Sequence, residues 1–391
     1  MAERSLAARS EEQAVLDTMS ALWPGDRPRV LTGTAARAGR GYLVLPSMAM
    51  PRLMVPQWSR GAAAVAMSDF SEATSRKQTV LRLAAATSLR LGLVRGKPVV
   101  EVEPQDSIVE HLSDILDEPV VVSVGIGTPR ANRKPVLRII NARNRLIGFA
   151  KVGTNELVDA LIAREHESLM ALPEDGWTVL RPPKVLHYGD WGGHSLLVMS
   201  ALPSRARFWK GARTQVPVDV AREIGSCLGT SREVLGTSRF MQSLQSQAAS
   251  LPVSRLGAAL YRLGSAGQTL TFGSWHGDFT PWNMASVRRD GKISVWDWEQ
   301  FQTGVPLGMD EIHFRVNVDT TAQGFTASTL RHSLASLRGQ DGDAPGEILQ
   351  LCYVAAIATR YVLAAMEPGG EAIADKARLM VELLDEMVER Q

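Results

Sequence analysis

The sequence predicts an α+β protein, with an antiparallel sheet and a helix in its first half and mostly helices in its second. Three strand patterns, rich in apolar and β-branched residues, follow one another at residues 120–124, 135–141 and 146–152. A helical pattern over residues 155–172 comes directly after them. From residue 218 onward helical patterns dominate, and the last of these is amphipathic.

Composition and charge limit the classes of partner that the sequence predicts. The 391 residues carry 43 Lys and Arg against 41 Asp and Glu, a net charge of +2. This balance predicts neither a nucleic-acid partner nor a membrane surface. Cys227 and Cys352 lie far apart, which is typical of reduced thiols. Residues 1–18 carry acidic side chains and no apolar stretch, so we expect no signal peptide and a cytoplasmic protein.

Residues 1–105 are predicted to form an N-terminal extension or cap-like domain of mixed helix and strand. Helical patterns cover residues 5–22 and 79–93, and short strand patterns cover residues 41–46, 52–56 and 97–103. The segment also holds scattered basic residues: Arg29, Arg37, Arg40, Arg52, Arg60, Arg76 and Lys77. We interpret them as a solvated face in preference to an anion site.

The connection between the first two strands of residues 106–200 is a candidate phosphate loop. A predicted helix at residues 108–116 precedes it. Gly125 and Gly127 would let the backbone approach phosphate oxygens, and basic residues that follow could add charge: Arg130, Arg133 and Lys134. A hairpin loop without a ligand also tolerates such glycines. The loop is not a Walker A motif, because it lacks the G-K-[ST] ending.

Lys151 stands among apolar residues on the third strand, where a lysine is costly unless it is paired. The next helix offers Glu165, whose neighbours four and seven positions on, Leu169 and Leu172, form a packing face. Glu156 and Glu167 are the rival partners. The alternative is a surface lysine on an edge strand.

Residues 275–299 carry the chemistry that the sequence predicts. Asp278 lies five positions before Asn283, and Asp297 follows a short strand at residues 292–296. Phosphoryl transfer needs a group that orients and deprotonates the attacking hydroxyl, a role that suits Asp278. It also needs oxygen ligands for Mg²⁺, which suits Asn283 and Asp297. We interpret His276 as a structural brace of this loop.

Two further residues of this stretch have open roles. Trp282 lies inside the loop, and it either packs in the core or lines an acceptor pocket. Glu299 follows Asp297 by two positions, and it either supports Asp297 or meets the acceptor.

The pattern H-G-D-x-x-x-x-N, followed by a strand that ends in D-W-E, resembles the aminoglycoside phosphotransferase and choline kinase-like family. The resemblance covers residues 106–391 as an architecture. It implies a bilobal protein-kinase-like fold, with a nucleotide-binding N-terminal lobe at residues 106–200 and a helical C-terminal lobe at residues 201–391. It also implies ATP or GTP as phosphoryl donor, with Mg²⁺, and a small hydroxyl-bearing acceptor.

The resemblance implies roles for four more residues. In similar phosphotransferases a Lys–Glu pair holds the nucleotide α- and β-phosphates, which corresponds here to Lys151 and Glu165. A short apolar strand at residues 195–200 occupies the position of the hinge between lobes, where backbone groups bind a purine. Met199 and Ala201 are the candidate contacts there.

After Glu299 the sequence predicts a turn at residues 304–308 and a cap by Asp310 for the helix that follows, in preference to substrate binding. Relatives of the resembled family carry an acidic residue at this point. The apolar segment at residues 348–366 is interrupted by Arg360, which favours a core helix over a membrane span.

The sequence thus predicts an ATP- or GTP-dependent kinase that acts on a hydroxyl of a small molecule. Trp282 favours a sugar or a sugar-containing metabolite as acceptor, through stacking. An inactive nucleotide-binding or scaffold protein is the alternative, although degenerate relatives usually lose the lysine, the base or a metal ligand. A metal-dependent hydrolase using His276 and Asp278 is disfavoured, because the seven histidines form no second cluster.

Overall fold

The structure is a computed structural model. It describes residues 2–25, 28–31, 41–69, 76–103, 105–127, 134–202, 215–265, 267–286, 290–337, 346–367 and 369–391. Arg37 and Arg40 of the basic scatter lie outside these residues, as do Arg130 and Arg133 of the candidate phosphate loop.

The described residues form twelve α-helices and fifteen strands. The first part of the chain contains α1 (Ala2–Leu22), β1 (Arg29–Leu31), β2 (Gly41–Ser47), β3 (Met50–Pro56), α2 (Arg60–Ser68), α3 (Arg76–Leu91), β4 (Val99–Glu101), α4 (Ile108–Leu116), β5 (Val120–Ile126), β6 (Pro135–Asn141), β7 (Leu146–Val152), α5 (Glu156–Ala171), β8 (Leu180–Arg181), β9 (Val185–Trp191) and β10 (His194–Ser200). The second part contains α6 (Val218–Ser226), β11 (Ser231–Val234), α7 (Arg239–Ala249), α8 (Ser254–Gly264), β12 (Thr269–Trp275), β13 (Met284–Ser286), β14 (Ile293–Val295), β15 (Gln302–Pro306), α9 (Met309–Gln323), α10 (Ala327–Ser336), α11 (Glu347–Met366) and α12 (Glu371–Glu389).

The chain divides into two compact units. The first comprises residues 1–166 and 183–204, and the second comprises residues 167–182 and 205–391. An antiparallel sheet dominates the first unit and helices dominate the second. The predicted fold class is therefore confirmed.

One nine-stranded antiparallel sheet runs through the first unit, in the order β1-β4-β2-β3-β5-β6-β7-β10-β9. Strand β3 pairs with β5 through Leu53 opposite Gly125 and Met54 opposite Val124. Strands from both sides of residue 105 therefore share one sheet. The boundary of an N-terminal extension or cap-like domain at residue 105 stays a prediction.

The two faces of this sheet are covered by different helices. One face packs against α1 and α4, with Met19, Leu22 and Leu112 buried among strand residues. The other packs against α2 and α3 through the alanines of α2 and Leu89. The strands are rich in Val, Ile and Leu because both faces of the sheet are covered.

The second unit has a helical core built around α11. This helix, Glu347–Met366, is long and apolar enough to cross a membrane. Of an apolar 18-residue stretch within it, 56% is buried inside the protein. Leu351, Val354 and Ala358 belong to the core cluster, as do residues of α12 such as Leu384. Its apolar surface is thus covered to a large extent by neighbouring helices of the same unit.

Local sequence signals placed some elements closely and missed others. The predicted bounds of α4, β6 and β7 are those observed, and Ser107 caps α4 by accepting the N–H of Glu110. Residues 304–308, predicted as a turn, instead lie largely in β15, which pairs with β12. The sequence analysis also missed β8, a strand of two residues that pairs in parallel with β14.

Candidate active site

The loop that carries Asp278 follows directly from β12 and is fixed by hydrogen bonds from helices of the same unit. The buried carboxylate of Asp310 accepts the N–H of His276 (2.7 Å) and of Gly277 (3.1 Å). Arg360 donates from Nη1 to the carbonyl of Gly277 (2.7 Å). Gly277 has φ +76°, and a Cβ there would lie 2.2 Å from the carbonyl oxygen of Gln300. Only glycine fits this turn.

The prediction that Asp310 caps α9 is wrong. The residue before α9 is Gly308, which makes no side-chain cap, and Asp310 lies inside the first turn. Its carboxylate binds the N–H groups of the Asp278 loop, because α9 packs beneath that loop and the loop has no regular partner for them.

Asp278 and Asn283 are in direct contact. The amide nitrogen Nδ2 of Asn283 donates to Oδ2 of Asp278 (2.7 Å) and to its carbonyl oxygen (3.0 Å). The Asp278 side chain is 36% exposed, so the carboxylate remains open to a ligand. With the amide nitrogen committed to Asp278, the oxygen of Asn283 is the atom that suits a metal ion.

Asp297 is brought to the same place by the β13–β14 hairpin. The N–H of Trp296 donates to the carbonyl of Asn283 (3.0 Å), which joins the two sequence motifs through the backbone. Asp297 adopts a left-handed conformation (φ 71°, ψ 57°), which is uncommon for a residue other than glycine. Asp106, Asp117 and Asn144 share the left-handed conformation elsewhere in the chain, and residues in such conformations cluster at functional sites. The charge of Asp297 acts on both Asp278 and His276.

His276 makes the contacts that a structural brace requires. Its Nδ1 accepts the N–H of Asp278 (3.2 Å), and Nε2 lies 3.1 Å from the carbonyl oxygen of Trp296, to which it can donate. The ring is fully buried against Trp298, with centroids 4.7 Å apart. Burial lowers the pKa of His276 to about 4, against the opposing charges of Asp278 and Asp297. The imidazole is therefore neutral and links the loop to the hairpin.

His313 is a neighbour of Asp278 that sequence reasoning missed. Its Nε2 lies 3.4 Å from Oδ1 of Asp278, and its Nδ1 lies 3.3 Å from the hydroxyl of Tyr353. Burial lowers the pKa of His313 although the charge of Asp278 opposes this, so a neutral ring donates from Nε2. The sequence signal was weak, because α9 brings His313 to Asp278 from 35 positions away, and α11 brings Tyr353 to His313 from a further 40 positions away.

The surroundings keep Asp278 ionised. Burial and the charge of nearby Asp297 would raise its pKa, but the hydrogen bond that the His313 ring donates outweighs them, so the pKa lies below the ordinary value. The same surroundings include the charge of Arg360. Asp278 is thus an anion, partly exposed and fixed in orientation, as a general base requires.

Lys151 and Glu165 form a buried ion pair in the first unit. Nζ of Lys151 on β7 contacts Oε2 of Glu165 on α5, and the side chains are 9% and 0% exposed. The glutamate that contacts Lys151 is thus Glu165, the partner that the sequence analysis preferred over Glu156 and Glu167. A buried pair of this kind is weak evidence for stability alone, since its desolvation cost approaches its Coulombic gain.

The other residues predicted to contact the nucleotide take part in the pairing of the sheet or lie at its border. Gly125 lies within β5, paired with Val136, and Gly127 is the last described residue before the loop. Met199 is paired on both sides within the sheet, and the N–H of Ala201 donates to the carbonyl of Ile147 (2.9 Å). The N–H of Ala201 is therefore already used within the sheet, and the predicted purine contacts of Met199 and Ala201 stay predictions. At Ala201 the carbonyl oxygen is the remaining candidate.

Trp282 and Glu299 both lie in short 3₁₀ turns next to the site. Trp282, in the turn Pro281–Asn283, is 42% exposed, which contradicts a core role for its side chain. Glu299, in the turn Trp298–Gln300, is partly buried. Its two possible roles stay predictions.

No protein-family model matches the chain, and no curated protein is significantly similar to it. Solved structures similar to it include aminoglycoside phosphotransferases, the family whose motifs the sequence resembles. One is the GDP and kanamycin complex of APH(2")-IIia, at 12% identity over 72% of this chain and 99% of that one, with a TM-score of 0.39.

Two other solved structures are of the same kind. Spectinomycin phosphotransferase APH(9)-Ia with ADP and spectinomycin shows 9% identity over 73% of this chain and 98% of that one, with a TM-score of 0.36. APH(3'')-Id from Streptomyces rimosus shows 14% identity over 71% and 97%, with a TM-score of 0.28. Because the sequence identities and TM-scores are this low, these structures assign no role to an individual residue of this chain.

Proposed function

We propose that this protein is a small-molecule kinase, which transfers the γ-phosphoryl group of ATP or GTP to a hydroxyl. One observation carries the proposal. A partly exposed aspartate, Asp278, is held by Asn283 in a loop joined through the backbone to the strained Asp297. Phosphoryl transfer needs a base and two hard oxygen ligands close together, and this loop and hairpin supply them.

In the proposed reaction Asp278 orients the acceptor hydroxyl and takes its proton. The hydroxyl oxygen forms a bond to the γ-phosphorus, the bond from that phosphorus to the β–γ bridging oxygen breaks, and the nucleoside diphosphate leaves. Because Asp278 is anionic, it can accept a proton at neutral pH. The hydrogen bond from Asn283 fixes the carboxylate, so that catalysis depends on placement.

Asn283 and Asp297 are suited to hold Mg²⁺. One amide oxygen and one carboxylate on a single loop–hairpin unit are hard donors, and Mg²⁺ is usually bound through few protein ligands together with substrate phosphates. A bound Mg²⁺ neutralises charge on the phosphates. Asn283 thus has two roles, in which its amide nitrogen positions Asp278 and its oxygen is a ligand.

Lys151 and Glu165 are proposed to hold the nucleotide phosphates. The ion pair exists in the described structure, and the carboxylate of Glu165 holds the amine of Lys151 in a fixed position. Gly125 and Gly127 are proposed to place the following loop near the phosphates.

The acceptor is proposed to be a sugar or a sugar-containing metabolite. The exposed indole of Trp282 lies one residue before Asn283, and it offers a flat surface on which a sugar ring can stack. A cytoplasmic protein without a nucleic-acid partner is the proposed setting, in line with the thiols and the net charge.

The test is Mg²⁺-dependent nucleotide consumption across a library of hydroxyl compounds. We expect turnover by the wild type and a loss of at least about 100-fold in kcat for Asp278→Asn, since a general base contributes about 10² to 10⁴. Asp375→Asn, on an exposed side chain of α12, is the matched control and should keep full activity. Equal rates for Asp278→Asn and wild type would remove the base assignment. Nucleotide binding without any turnover would favour the alternative, an inactive nucleotide-binding or scaffold protein.

A further inference from the structure

Residues 76–100 are strongly basic although the chain as a whole is nearly neutral. They contain six cationic residues and no Asp or Glu: Arg76, Lys77, Arg82, Arg90, Arg95 and Lys97. The net charge of the whole chain is only +2. An average over 391 residues therefore conceals a local cationic segment, which comprises α3 and the turn that follows it.

The same segment exposes large apolar side chains. Five of them form what we call the α3 apolar surface, with exposed fractions of 58–68%: Val80, Leu81, Leu83, Leu91 and Leu93. Ala86 and Leu89, in contrast, are buried, and Leu89 packs in the core against α2 and the sheet. An amphipathic helix on a soluble protein normally turns its apolar side inward.

Three of the exposed residues share one side of the helix. At 100° per residue, Val80, Leu83 and Leu91 fall within about 80° of each other, and buried Leu89 lies on the opposite side. Leu81 lies about 100° from Val80, and Leu93 follows the end of the helix. Arg90 and Arg95 are also exposed, beside the leucines in sequence. Long cationic side chains can reach past an apolar contact to bind charged groups at its border.

We infer that the α3 apolar surface docks onto an anionic lipid bilayer. A bilayer interface supplies both an apolar layer for the leucines and anionic head groups for the arginines. A second copy of this chain fits poorly, because it would bring two such cationic segments together. The inference is independent of the kinase proposal, since it involves none of the residues assigned to catalysis or nucleotide binding.

The test is co-sedimentation of the full chain with vesicles of phosphatidylcholine alone and with vesicles that also contain phosphatidylglycerol. We expect binding only to the second kind, and weaker binding as salt rises. Each Lys or Arg near an anionic surface strengthens binding about fivefold. Arg90→Glu with Arg95→Glu should therefore weaken binding by about 25-fold or more.

The apolar contribution is tested with Leu83→Ser and Leu91→Ser together, which should weaken binding at least about tenfold. Both side chains are exposed, so the variant should unfold at the wild-type temperature. The matched controls are Tyr261→Ser and Arg378→Glu, which alter exposed residues of α8 and α12 and should bind as wild type does.

Three results would overturn the inference. The first is equal binding to both kinds of vesicle, or to neither. The second is a loss of binding in the control variants as large as in the α3 variants. The third is a dimer, seen by light scattering without lipid, that the Leu83→Ser and Leu91→Ser changes dissociate while vesicle binding is unaffected. That outcome would assign the surface to a second copy.

Discussion

Replacing Asp310 by alanine should destabilise the second unit strongly. The carboxylate accepts the N–H groups of His276 and Gly277, and all of these groups are buried. Alanine leaves both N–H groups without an acceptor, at about 1 to 3 kcal/mol each. We therefore expect the free energy of unfolding to fall by about 2 to 6 kcal/mol. Asp310→Asn keeps one acceptor oxygen but turns an amide nitrogen toward the other N–H, so its cost should be intermediate.

Urea unfolding followed by tryptophan fluorescence measures this change, because Trp275 and Trp298 are buried close to the loop. Asp375→Ala on the exposed side of α12 is the control, and it should change the free energy of unfolding by less than about 0.5 kcal/mol. If Asp310→Ala were as stable as this control, the loop would not depend on the carboxylate, and the explanation of how Asp278 is positioned would be refuted.

Three further predictions concern pH and the ion pair. Burial raises the pKa of Asp310 from 3.8 to about 7 against its two N–H donors, so its contribution to stability is complete below about pH 4 and is lost as pH rises through about 7. In urea unfolding, the stability margin of wild type over Asp310→Asn should accordingly be larger at pH 5 than at pH 8. His313→Ala removes the donor that lowers the pKa of Asp278, so the acidic limb of the kcat/KM profile should move to higher pH by roughly one unit; an unchanged limb would show that His313 does not tune the base. Lys151→Met should cost about 3 to 5 kcal/mol by leaving Glu165 buried without its partner, and adding Glu165→Met should recover most of that stability in the same measurement.

Elements that depend on local signals could be predicted from the sequence. Helix α4 has a serine cap and an apolar face, and β6 and β7 are strands joined by a short turn, so nearby residues determine their bounds. Strand β8 could not be found in this way. It is two residues long, and it is stabilised by pairing with β14, more than 100 positions later in the chain.

The candidate site likewise contains residues that the sequence could predict and residues that it could not. Asp278, Asn283 and Asp297 belong to one loop and hairpin, so their spacing in the sequence carried the information. His313 and Arg360 come from helices that reach the loop only through packing of the helical core. Spacing rules say nothing about such contacts, because they arise from tertiary structure.

The pairing of β3 with β5 has a consequence for any shortened form of the chain. A polypeptide starting at residue 106 would lose the neighbour that covers one border of β5, together with the helices α1, α2 and α3 that shield both faces of the sheet. The unpaired amide groups of β5 and the newly exposed valines of the sheet would then favour pairing of strands between molecules. The first hundred residues therefore also protect the strands of residues 120–152 from association between molecules.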